Sequence, residues 1–151
     1  MRKVEVFLDS SALIAGIISE QGAGRVLLLL GEDGRIQLNV CEQVVVEVER
    51  NIARKAPNAL PFARQVILAA DIRIHRDPSK EDVQKRLDWI SHATDVPILV
   101  AASQANVDFL ATLNTRHFLA DPEVSRRSGL RIGTPGDVLG WVRELLISNS
   151  K

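Results

Sequence analysis

Three carboxylates, Asp9, Glu47 and Asp95, have the type and setting to do chemistry. Asp9 directly follows Val4, Val6 and Leu8 with Phe7 between them, a β-rich apolar run that reads as a strand buried on both faces. A carboxylate at such a strand end is costly if its charge is left uncompensated. Either a cation or the N–H groups of a helix beginning at Ser10-Ser11-Ala12 would compensate it.

Glu47 falls in a helical stretch from Glu42 to about Lys55, which Pro57 stops. At 100° per residue, Gln43, Arg50, Asn51 and Arg54 lie within about 60° of Glu47, while Val45, Val48 and Ile52 lie about 100° or more away and Val44 sits at the boundary. Glu47 is therefore central to a polar stripe, which serves equally as a solvated face with Arg50 and Asn51 pairings. Glu42 and Glu49 project nearly opposite, so at most one of the three glutamates serves a cleft. Thr94-Asp95-Val96-Pro97 reads as a helix entrance, with Thr94 or Asp95 as cap and Pro97 in the first turn. A carboxylate there also suits a hard cation, because Mg²⁺ and Mn²⁺ take oxygen ligands.

Other chemistries have weaker support. The histidines His75, His92 and His117 lack the short spacing of a zinc pair, and Cys41, the only cysteine, rules out an internal disulfide and multi-thiolate zinc sites. His75 and His92 read as structural or surface residues. Gly22-Ala23-Gly24-Arg25 lacks the P-loop lysine and the full dinucleotide fingerprint. Lys plus Arg and Asp plus Glu balance at 19 each, so any RNA contact must come from local basic clusters. Such clusters are Arg50 with Arg54, Arg116 with His117, and Arg126, Arg127 and Arg131.

The chain has 151 residues, 46% hydrophobic and 25% charged, the composition of one globular domain over residues 1–151. Its longest purely apolar run, Val26 to Leu30, is far shorter than the ~20 residues that span a bilayer, and a cytoplasmic protein without signal peptide is expected. Strands are expected at Lys3 to Leu8, Ile36 to Val40, Ile72 with Ile74, Val107 to Thr112, and Arg131 with Ile132. Helices are expected from Ser10 or Ser11 to Ile18, Ala23 to Leu30 (closed by Gly31 and Gly34), Glu42 to Lys55, Leu60 to Ala70, Ser79 to Ser91, Asp95 to Ala105 and Gly136 to Ile147. Ser79 and Asp82 resemble a capping box. This alternation predicts right-handed βαβ crossovers and a three-layer α/β/α fold with a parallel sheet of four to five strands. Asp108 and Asp121 read as cap or turn residues.

Taken together, Val6-Phe7-Leu8-Asp9-Ser10-Ser11-Ala12-Leu13, the stretch around Glu47, Asp95-Val96-Pro97-Ile98-Leu99-Val100-Ala101-Ala102, Val107 to Thr112 and Asn114 to Phe118 resemble the PIN-domain family. That family includes toxins of bacterial toxin–antitoxin pairs. The resemblance implies a metal-dependent ribonuclease with Asp9, Glu47 and Asp95 as catalytic and metal-binding acids for Mg²⁺ or Mn²⁺. It also implies substrate or metal-water contacts from Ser10, Thr112 and Asn114, and backbone contacts from Arg50, Arg54 and Arg116. The family often has a fourth acid where this chain has Asn114, which puts a second metal in doubt. RNA as substrate, an antitoxin partner and a homodimer are carried by resemblance only.

On that reading a cation held by Asp9 and Asp95, with Glu47 direct or through water, binds a phosphodiester oxygen and lowers the pKa of the attacking water. No covalent protein nucleophile is needed. The rival reading is a degraded PIN-like module that binds RNA or a protein partner without cutting, and Asn114 is the feature that favours it. A phosphatase using Asp9 as nucleophile would want a second aspartate two positions on, where Ser11 stands.

Overall fold

A computed structural model of the chain describes residues 2–149. The strands β1 (Val4–Leu8), β2 (Ile36–Cys41), β3 (Arg73–His75), β4 (Phe109–Ala111) and β5 (Arg131–Gly133) form one parallel sheet in the order β3-β2-β1-β4-β5. Helices α1 (Ser10–Ile18) and α2 (Ala23–Glu32) connect β1 to β2, and α3 (Glu42–Lys55) and α4 (Leu60–Ala69) connect β2 to β3. Helices α5 (Lys80–Gln84) and α6 (Val96–Gln104) lead to β4, α7 (Thr115–Phe118) and α8 (Pro122–Ser128) lead to β5, and α9 (Pro135–Asn149) follows.

The strand order explains the layers. From β1 the chain steps outward to β2 and β3, then returns past β1 to β4 and β5. Right-handed crossovers in opposite directions put their helices on opposite faces. Accordingly α1 packs on α2 and α3, whereas α6 packs on β2, α5 and α8, and α9 folds back against α2, β4 and β5. Both faces of the sheet are thus covered, and Val6, Phe7 and Leu8 at its centre are 1% exposed or less. The expected three-layer α/β/α architecture is what forms, with five strands.

Local differences have physical causes. Helix α2 runs through Gly31 to Glu32, and the terminating residue is Gly34, whose φ of +71° suits glycine. Ser79 does cap its helix, its Oγ accepting from Asp82 N at 3.1 Å, but α5 ends at Gln84 rather than Ser91. Beyond it Arg86 N and Trp89 N donate three residues back, to Val83 O and Arg86 O, and the Arg86 guanidinium occupies Asp82 O. Tight turns replace the α-helical ladder there. Helices α7 and α8, not expected from the sequence, are both capped by side chains, Asn114 and Asp121. Asp108 accepts from Glu5 N at 2.8 Å and pairs with Arg2, and His75 bonds Asn39.

The Gly22-to-Arg25 stretch serves packing. A Cβ on Gly24 would stand 3.1 Å from Gly16 N and 3.3 Å from Ala12 O, so the absence of a side chain lets α2 lie against the α1 backbone. Arg25 then donates to Gly16 O and Ile17 O at 2.7 and 2.8 Å, satisfying carbonyls at the end of α1. Gly24→Ala should lower unfolding free energy by on the order of 1 kcal/mol, overpacking outweighing helix propensity. Urea denaturation with an unchanged m-value checks this, and unaltered or raised stability would contradict the close approach.

Candidate active site

The reversal of strand order lies between β1 and β4, and the crevice outside the carboxyl ends of those strands is where an open α/β sheet presents its site. Asp9 follows β1 there, and Thr112 follows β4. Asp9 N donates to Ala111 O, which fastens the two strand ends together. The Asp9 side chain is 5% exposed and fully engaged. Its Oδ1 accepts from Ala12 N at 2.9 Å and Ser11 Oγ at 2.7 Å, and its Oδ2 accepts from Thr112 Oγ1. Thr112 Oγ1 in turn accepts from Asn114 N, and Ser11 Oγ from Leu113 N. The cap expected of Asp9 therefore forms, with the same carboxylate tied to the neighbouring strand.

Glu47 reaches the crevice from the polar face of α3. Ser10 Oγ donates to its Oε1, and Gln43 Nε2 donates to its Oε2 at 3.1 Å. Gln43 also donates to Thr94 O at 3.0 Å, tying α3 to the turn that carries Asp95. Glu42 and Glu49 point elsewhere: Glu42 accepts from Asp77 N, and Glu49 pairs with Arg64. Asp95 ends a 3-10 turn, Ala93–Asp95, ahead of α6, and its side chain caps nothing. Its Oδ2 instead lies 2.7 Å from His117 Nδ1.

For His117 the sequence suggested only backbone steering beside Arg116, and the structure adds its contact with Asp95. Its Nδ1 also lies 2.8 Å from Asn114 Nδ2. One nitrogen cannot donate to Asp95 and accept from Asn114 at once, so in either tautomer only one of the two contacts is a hydrogen bond. Asn114 Oδ1 meanwhile accepts from His117 N at 3.3 Å, capping α7, so the amide at the fourth position is turned toward His117. The His92 ring packs against the His117 ring, their centroids 3.6 Å apart and their planes tilted by 42°, so His92 buttresses the site. No sequence spacing announces either histidine, because the contacts join α7 to the turn before α6.

Burial pushes the Asp9 carboxyl upward, hydrogen bonds from Thr112, Ala12 and Ser11 oppose the shift, and the charge of Asp95 raises it further. Among the described residues no lysine or arginine forms an ion pair with Asp9, Glu47 or Asp95. A set of oxygen donors with uncompensated negative charge fits a hard divalent cation. The three carboxylates are spaced by their neutral donors, and no group of three acidic, histidine or cysteine side chains among the described residues is close enough to enclose an ion. Closure onto a cation would require these side chains to turn inward. Hollows of about 370 and 510 Å³ flank Glu47 and Arg50, one toward Ser10, Asn51 and Arg54, the other toward Gln43, Asp77 and Thr94. Of the other expected backbone contacts, Arg116 is exposed. Arg126, Arg127 and Arg131 are engaged with Glu123, Asp88 O and the Trp141 ring.

The acids lie at the switch point of a parallel three-layer sheet, and nuclease-type chemistry follows from the family to which that architecture belongs. The PIN-domain family model matches residues 5–116, and the chain belongs to the PIN-domain family. The crystal structure of PAE2754 from Pyrobaculum aerophilum is similar over 93% of this chain and 96% of that one, with a TM-score of 0.65 and 16% identity, a likeness of fold. No curated protein gave a significant match. No single helix among the described residues is long and apolar enough to cross a membrane.

The raised Asp9 carboxyl has a consequence for stability. A proton binds Asp9 more tightly in the folded than in the unfolded chain, so its contribution to stability is complete below the ordinary carboxyl pKa of about 3.9 and falls away as pH rises through the folded value. In chelator, Asp9→Asn should therefore raise Tm by a few degrees near pH 7.5 and lose that advantage toward pH 3.5. Thermal unfolding across that range checks it, and a destabilised variant at pH 7.5 would contradict the uncompensated charge.

Proposed function

We propose that the protein is a Mg²⁺- or Mn²⁺-dependent ribonuclease that hydrolyses phosphodiester bonds at the Asp9, Glu47 and Asp95 crevice, and that it acts as the toxin of a toxin–antitoxin pair. The observation that carries the nuclease reading is Asp9, a buried carboxylate pushed up by burial and by Asp95, with no basic side chain paired to it. The toxin role, an antitoxin partner and a homodimer rest on family likeness alone.

Asp9, Asp95 and Glu47 would hold the ion, which supplies charge to a phosphate oxygen and acidifies a water. The water oxygen would bond phosphorus as the water gives up a proton, the bond to the leaving ribose oxygen would break, and the leaving oxygen would take up a proton. Thr112 and Ser11 keep Asp9 aimed from below, and Ser10 and Gln43 fix Glu47. His117 orients Asp95, as second partners of metal-binding groups do. Arg50 and Arg54 face the phosphates from α3, and the exposed Arg116 of α7 is a further candidate contact.

The test is cleavage of a mixed pool of structured and unstructured RNA by native protein and Asp9→Asn, with Mg²⁺, Mn²⁺ or chelator. Native cleavage should vanish in chelator, and Asp9→Asn should lose more than the ~10–100-fold typical of an outer-sphere partner. Divalent ions should raise the native Tm and leave that of Asp9→Asn nearly unmoved. RNA binding without cleavage by well-folded native protein would favour the non-cutting module, and cleavage that survives chelation would refute the metal reading.

A further inference from the structure

The crevice continues past Glu47 in one direction as a built shelf. A further hollow of about 370 Å³ lies between Ile14, Ile18, Asn51, Lys55 and Leu113, and it shares Ser11, Ile14 and Asn51 with the hollow beside Glu47. Its apolar wall is open to solvent, Ile18 being 55% and Leu113 48% exposed. Its opposite wall is the C-terminal half of α3. Lys55 lines this hollow and Arg50 and Arg54 line the adjoining one beside Glu47; none of the three, nor the Asn51 amide, forms an ion pair or hydrogen bond with any described residue. Elsewhere Arg2, Arg25, Arg64, Arg73, Arg86 and Arg126 are engaged by carboxylates or carbonyls, whereas along this wall three cations without such a partner follow one another on one helix.

The other direction is built differently. Beyond Glu47 and Arg50 the hollow is bounded by Gln43, Val46, Asp77, Thr94 and Pro97, which add an acid and no further cation. The crevice is therefore electrostatically lopsided about the three carboxylates.

We infer that the shelf is a nucleotide-binding subsite that grips a single-stranded nucleic acid on one side of the scissile phosphate. The inference rests on the nuclease reading and adds to it the direction of the grip. Phosphates lie along Arg50, Arg54 and Lys55, and base faces lie on Ile14, Ile18 and Leu113, with the Asn51 amide at a base edge. Arg50 and Arg54 are one helical turn apart, about 6 Å along the axis. Cations on one wall and apolar side chains on the other are what an unpaired strand presents to a groove, with its backbone on one side and its bases on the other. An acidic, apolar peptide would meet the same two walls. The free cations that run from the shelf back to Arg50 beside the catalytic acids favour the nucleic acid.

The experiment uses full-length native protein, Lys55→Glu and Ile18→Asp, two exposed positions outside the acid cluster, each checked for unchanged thermal unfolding. Affinity for a fluorescent 2′-O-methyl oligonucleotide is measured in chelator at several salt concentrations. Both variants should weaken binding about tenfold, and Lys55→Glu should also flatten the salt dependence by about one phosphate contact. Around the mapped cut, shortening the RNA on one flank should raise KM strongly, and shortening the other should not. The difference should shrink in Lys55→Glu while kcat at saturation is kept. Native cleavage with unchanged variant affinity, or with equal dependence on both flanks, would overturn the subsite while leaving the nuclease standing, and would hand the shelf to a peptide partner. Native protein that neither binds nor cuts would remove both readings.

Discussion

One carboxylate buried where the chain reverses its direction across the sheet organises the molecule. Asp9 must close β1, start α1 and face the end of β4, and it does all three with neutral hydrogen bonds. Because β1 and β4 are neighbours whose crossovers leave on opposite faces, their carboxyl ends open a crevice. Everything else that bears on the site reaches that cleft from elements that pack to either side of it: Glu47 on α3, Asp95 before α6 and His117 on α7.

The choice of partners is as telling as the choice of acids. Away from the cleft, carboxylates meet arginine: Asp108 with Arg2, Glu5 with Arg73 and Glu49 with Arg64. In the cleft they meet hydroxyls, an amide, a backbone N–H and an imidazole, from Ser10, Ser11, Thr112, Gln43, Ala12 and His117. Such donors fix the geometry without cancelling the charge, whereas an arginine would fix it by cancelling it. The cost is a strained charge balance at Asp9, and hydrophobic packing of sheet and helices must carry it. The central residues of β1 and β4 are accordingly almost wholly buried.

What was legible in the sequence followed from short-range rules. The buried run of β1, the polar stripe of α3 and the proline-led start of α6 each rest on periodicity or capping within one element; the first two formed as read, and α6 starts at the expected place with Pro97 in its first turn but without the expected side-chain cap. Helix-face geometry separated Glu47 from Glu42 and Glu49, and all three point as that geometry requires. What failed depended on contacts between elements. The 79–91 stretch has helical periodicity, but Arg86 takes a carbonyl with its side chain and the ladder ends early. Gly31 looks like a terminator and is instead a place where α2 crowds Leu38 and Ala70 O. The joining of Asp95 to His117, and of His117 to His92, spans 22 and 25 positions of chain with no repeating spacing to mark it.

Asn114 shows how one substitution propagates through such a cleft. An acid at that position would add a negative charge beside Thr112, Asp95 and Asp9, where burial and Asp95 already raise Asp9. An amide caps α7 equally well through its oxygen and leaves three carboxylates. On the nuclease reading, one divalent ion then leaves a single net negative charge, and a second ion would overshoot into net positive charge until a substrate phosphate supplied the missing anion. A second ion is thus favoured only together with the phosphate it would help to cleave, so charge balance ties metal loading to substrate entry.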